Sequence, residues 1–155
     1  MATSALPAAL TALVTILQAA GSLADVLVTD GEPTGDIATC DFLAVGWSGG
    51  EDPTAEIAQN FNAAGARTRD EDFSIVCVAD AWSGDDGFAT VRNRVFEIFG
   101  AVETALRATG ASPEAPTLNG TVLWAHLTRA SLRQYFTDRG SRAALGFTVS
   151  CHARI

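Results

Sequence analysis

The residue types best able to make or break bonds in this chain are three cysteines and two histidines: Cys40, Cys77, Cys151, His126 and His152. A thiol nucleophile needs an imidazole within hydrogen-bond reach to take its proton. The adjacent pair Cys151-His152 points to opposite faces if that segment is extended. His126 falls in a strand row with Val122 and Trp124, and neither histidine has a recognisable partner. No Cys-x-x-Cys or His-x-x-x-His spacing is present, so a zinc site is not indicated. Cys77 and Cys151 sit in apolar strand patterns, where a buried thiol is an ordinary core filler. An odd, widely spaced set argues against a disulfide framework and for a reducing compartment.

The triplet Trp-Ser-Gly occurs twice, at Trp47–Gly49 and Trp82–Gly84, each time followed closely by acids. After Trp82 the chain turns into a long helical pattern, so Ser83, Asp85 and Asp86 are expected as cap and first-turn residues. After Trp47 comes only a loop containing Pro53. Neither copy has the glycine spacing or the lysine of a phosphate loop. Asp85 and Asp86 lack a companion set of oxygen ligands for a cation. Both triplets therefore read as strand terminators, and no catalytic, cofactor-binding or metal residue is expected.

The elements that would position any site follow from periodicity. At 155 residues, nearly half of them apolar, one domain over 1–155 with a real core is expected. Leu6, Leu10, Leu13, Val14 and Leu17 recur at helical spacing. No basic residue precedes Arg67, so this opening run lacks the charged start of a signal peptide. It is also too short for a comfortable membrane span. Strands are predicted at 25–30, 40–47, 55–62 and 73–82, then a helix over 86–109, whose Phe88, Val91, Val95, Ile98, Phe99, Val102 and Leu106 form one face. Two further strands are predicted at 121–128 and 131–140, and a last one alternating cleanly from Leu145 to Ile155. Helix, strands, helix, strands is the order of an α+β domain: a mainly antiparallel or mixed sheet flanked by two helices.

Charge supplies the remaining signal. The formal charge is −8 and every basic residue is an arginine, a poor composition for wrapping nucleic acid. The acids Asp70, Glu71 and Asp72 and the C-terminal arginines Arg129, Arg133, Arg139 and Arg142 could complement each other across a subunit interface. Phe96, at the margin of its helix face, could join them. The plainer alternatives are a solvated strand, solubilising arginines and a core-margin aromatic. Gly49, Gly50, Glu51 and Asp52 suit a loop that settles on contact with a partner.

Several stretches taken together resemble tail terminator proteins of long-tailed bacteriophages, particularly those of actinobacterial hosts. They are RTRDEDFSIVCVADAWSGDDGFATVRNRVFEIFGAVETALRA, then TLNGTVLWAHL, then GSRAALGFTVSCHARI, spanning roughly residues 65–155. The shared features are an acid-flanked strand with Cys77 and Trp82, Ser83-Gly84 before a long helix, a Leu118-Asn119-Gly120 turn, and the final strand from Gly146 to Arg154. The resemblance implies a structural virion protein without cofactor or catalytic residue, assembled in the host cytoplasm. It implies a homo-hexameric ring at the head-proximal end of the tail tube, contacting tube and neck proteins, with DNA passing through the bore. A neck stopper or tail-completion protein of similar fold is the nearer alternative. A small cytoplasmic enzyme or ligand-binding domain is the alternative of another class.

Overall fold

In the computed structural model, which describes residues 3–65 and 67–155, the elements run α1 (Leu6–Ala19), β1 (Leu27–Asp30), β2 (Phe42–Val45), β3 (Ala55–Phe61), β4 (Arg69–Ser83), α2 (Ala89–Ala105), β5 (Trp124–Thr137) and β6 (Gly140–Arg154). The fold is α+β, with both helices on one face of a six-stranded mixed sheet. Two fifteen-residue strands, β4 and β6, form its spine, paired antiparallel from Asp70 opposite Arg154 to Ser83 opposite Ser141. Along its free side β6 carries β5. The other side of β4 is shared: β2 covers Cys77–Asp80 and β3 covers Arg69–Ile75. Among the described residues only β1 and β2 run parallel.

Alternation along the spine decides which side is core. Ile75, Cys77, Ala79, Leu145, Phe147 and Val149 face the helices and are buried. From α2 they meet Val91, Val95, Ile98 and Val102, spaced by four, three and four, the period of one helix face. Phe99 stands edge-on to Phe147 with ring centres 5.2 Å apart. From α1 come Ala9, Leu13 and Leu17.

Several boundaries differ from the periodicity reading: β4 starts at Arg69 rather than Phe73, and β6 at Gly140 rather than Leu145. Helix α2 starts at Ala89 rather than Asp86, and its N-cap position, Phe88, makes no side-chain cap. Ser83, Asp85 and Asp86 are not its capping residues. The segment before the helix is tied instead to the start of β6: Ser141 N–H donates to the Asp85 carbonyl and Ser141 Oγ to the Gly87 carbonyl. In place of the two strands predicted at 121–128 and 131–140 there is one, β5 over Trp124–Thr137, with a bulge between Leu127 and Arg129, and Gly140 already opens β6. The extra residue at the bulge reverses the alternation, which is why the pattern reads as a break.

Where β4 passes from β2 to β3, the Gly46 N–H donates to the Val76 carbonyl and the Val76 N–H to the Thr54 carbonyl. The loop between, 47–53, is closed at its neck by Thr54 Oγ1 donating to the Gly46 carbonyl at 2.8 Å. Gly46 has φ +81°, and a Cβ there would lie 2.8 Å from Thr54 Cγ2, so this neck requires glycine.

Candidate functional site

The face of the sheet opposite the helices is left uncovered by them. It is built from the even-numbered residues of β4 and β6, which lie across from Phe42 and Ala44 of β2. On β5 the bulge changes which residues point this way. Trp124 and His126 do so before it; Arg129, Arg133 and Tyr135 do so after it. Without the extra residue those arginines would point toward the helix side.

A buried polar cluster lies at one end. Asp80 and Arg142 are 3 % and 4 % exposed. Arg142 Nε donates to Asp80 Oδ1 at 2.7 Å, and Tyr135 Oη donates to Asp80 Oδ2 at 2.7 Å. The remaining Arg142 nitrogens donate to the carbonyls of Ile37, Ala38 and Cys40, pinning that loop to the sheet. Burial pushes the Asp80 carboxyl up, against the pull of the Tyr135 hydroxyl and the Arg142 charge. Tyr135 is pushed up to about 12, first by burial and then by its bond to Asp80. It is the only tyrosine in the chain, so the phenolate absorbance of folded protein should stay silent through pH 10 and rise near pH 12. A tyrosine that ionises at the ordinary value would break this picture. The sign for stability follows: the unfolded phenol loses its proton first, so base weakens the fold across that interval.

Beside this cluster Phe42, Trp47 and Tyr135 wall a cavity of about 320 Å³. A second cavity of about 350 Å³ adjoins it, sharing Ser48, Val78, Arg133 and Ala144. The two make one trough over the sheet. At the far end of the face Trp124 stacks between His126 and His152, at 4.8 and 5.7 Å. His152 Nδ1 lies 2.7 Å from Asp72 Oδ1, and Arg154 Nε donates to Asp70 Oδ1 at 2.8 Å. That bond holds the Asp70 carboxyl below its usual value.

The charged residues singled out from sequence thus divide. Glu71 is fully buried; its carboxylate accepts from the Ala5 N–H and from Gln59, fixing the start of α1 to the sheet. Arg142 is buried and bonded within the subunit. Neither belongs to an exposed contact strip, because each is taken up by internal hydrogen bonds. Asp70 and Asp72 are engaged with Arg154 and His152. Arg129, Arg133 and Arg139 line the trough, and among the described residues none is in an ion pair. Phe96 is 48 % exposed on α2. Gly49 and Asp52 reach the trough from the 47–53 loop, whose Ser48 Oγ donates to Asp52 Oδ2 at 3.0 Å; Gly50 and Glu51 are exposed beside them.

Cys77 and Cys151 are 1 % exposed, and burial pushes both thiols up to about 12, so they are poor nucleophiles. Cys151 faces the core and His152 the open face, as alternation requires. Among the described residues no three potential ligands are grouped to hold a metal ion, and no helix is long and apolar enough to cross a membrane. The Asp80–Arg142–Tyr135 cluster was missed from sequence. Its available signal was Asp80, a lone acid inside the apolar run Ile75–Trp82, which must find a partner if buried.

No protein-family model matches this chain, and no curated protein matches it. A solved structure is similar in fold over 99 % of this chain and 100 % of its own, with a TM-score of 0.63 at 16 % identity. It is a chain from the virion of a native gene transfer agent particle.

Proposed function

We propose that this chain is a structural virion protein that works as a tail terminator, a ring subunit capping the head-proximal end of a tail tube. The observation that carries the reading is the end-to-end likeness in fold to a chain of a virion particle. The stretches between residues 65 and 155 that resemble tail terminators narrow it. In this reading the ring is hexameric and halts tube growth, offers a docking face to neck proteins and passes DNA through its bore. The net charge of −8 supports a lumen along which DNA slides without sticking. The chain acts through repeated surfaces, not bond-making chemistry.

A closed ring of identical subunits uses two different, complementary patches on each copy. Two exposed apolar patches lie at different edges of the sheet: Ile57 and Phe61 on β3, Leu132 and Phe136 on β5. Phe96 belongs to this interface in the proposal, whereas Arg129, Arg133 and Arg139, in no ion pair among the described residues, lie in the trough beside the 47–53 loop and face the partner which that loop meets. Asp70 and Asp72 join it only by exchanging their internal partners. Gly49, Gly50, Glu51 and Asp52 form the loop that docks on tube or neck.

Deleting the gene in its parent virus should give tails of uncontrolled length and unjoined heads, seen by negative-stain imaging. Gold-labelled protein should sit at the tube end nearest the head. Tails of normal length would sink the terminator reading. Normal tails with heads still unjoined would point to a neck protein instead.

A further inference from the structure

We infer that the trough on the open face is a binding site for an extended segment of another protein, carrying one or two carboxylates beside a large apolar side chain. This goes beyond the terminator reading and stands whether or not the chain caps a tail.

Three observations converge. The first is shape. The trough runs along β6 from Arg142 to Thr148, about 20 Å at roughly 3.3 Å per residue, enough for about six residues of extended chain. Gly146 lies on its floor, and a Cβ added there would meet nothing within 4 Å, so the floor is kept low by a missing side chain. The second is lining. Trp47, Phe42 and Tyr135 form an apolar socket at one end, the residue types that anchor partners at interfaces. Tyr135 is held in place by Asp80, so this wall of the socket is fixed before anything enters.

The third is charge. The trough holds Arg129, Arg133 and Arg139, free of ion pairs among the described residues, in a chain with 18 acids and 10 bases. The Arg133 guanidinium lies 5.0 Å from the Tyr135 ring centre, beside the aromatic socket. Arginine forks match carboxylates two bonds at a time. Asp52 and Asp138 also line the trough, leaving its net charge only slightly positive once Asp80 and Arg142 cancel. That balance suits a segment with few carboxylates and disfavours a polyanion such as nucleic acid.

The test uses the purified full chain and a displayed library of random peptides of about a dozen residues, long enough to fill the trough. Enriched sequences should combine one or two Asp or Glu with an aromatic or large aliphatic residue. The strongest, synthesised with a fluorophore, should bind by anisotropy. Affinity should fall about tenfold or more in Gly146→Val, which fills the floor, and in Arg133→Glu, which reverses the central charge. Circular dichroism should show both variants folded; Gly146→Ala and Arg133→Gln serve as milder versions if either is not. Enrichment of basic or uncharged peptides, no enrichment at all, or binding indifferent to both substitutions would overturn the proposal. So would displacement of the peptide by a single-stranded oligonucleotide. Self-association that disappears in the same variants, without peptide binding, would make the occupant a second copy and overturn it equally.

Discussion

Replacing Arg142 with alanine should cost this protein about 3–5 kcal/mol, a large part of the roughly 5–15 kcal/mol that holds a domain together. Two losses combine. Asp80, 3 % exposed in the parent, keeps Tyr135 alone as a hydrogen-bond partner, and a buried charge without its counterion is among the most expensive defects a core can hold. The carbonyls of Ile37, Ala38 and Cys40 lose their donor at the same moment, so the loop they belong to comes off the sheet. Asp80→Ala should cost nearly as much, because it strands the guanidinium instead. The double variant Asp80→Leu/Arg142→Met should be less damaged than either single change, since an apolar pair leaves no orphaned charge. Urea unfolding of the four proteins closes the cycle. At this chain length the single variants should melt roughly 10 °C below the parent. Single losses under about 1 kcal/mol, or a strictly additive double, would show that the pair is not the fastener described.

Gly140→Ala should be nearly as damaging, for a steric reason. The hairpin between β5 and β6 turns through Asp138 and Arg139, and its positive φ falls on Gly140, at +133°. A Cβ there would sit 2.2 Å from the Ser83 carbonyl oxygen and 2.9 Å from Gly84 Cα, both backbone atoms that no rotamer change can move. Trp82 Nε1 donates to the Arg139 carbonyl at 3.1 Å, so the turn and the end of β4 are locked face to face. Relieving the clash means parting them, which should cost on the order of 3 kcal/mol. Gly146→Ala, on the same strand with open space around it, should change stability by less than about 0.5 kcal/mol. Equal losses at the two glycines in urea unfolding would refute the steric account.

The parts of this molecule readable from sequence are those governed by one periodicity over many residues. Helix α2 and strand β6 alternate cleanly enough that their buried faces were correctly chosen, including the opposed directions of Cys151 and His152. The misreadings share a cause: a local signal met a tertiary partner. Asp85 and Asp86 have the chemistry of helix caps, yet the chain beside them hydrogen-bonds to Ser141, and the helix begins a turn later. Glu71 lies in a run of alternating charge that reads as solvated, but strand parity turns it inward to the Ala5 N–H. The bulge after Leu127 is invisible to a search for regular alternation, although it alone sets Arg129 and Arg133 on the open face. The parallel pairing of β1 with β2 leaves no mark in either short strand.

The closed neck at Gly46 and Thr54 has a consequence for how such a chain can change over generations. Because β4 is passed from one edge partner to the other across that clasp, residues 47–53 contribute no rung to the ladder. Additions or losses there leave strand register untouched, so one scaffold can be refitted to unlike neighbours by rewriting a single short excursion while everything beneath it keeps its form.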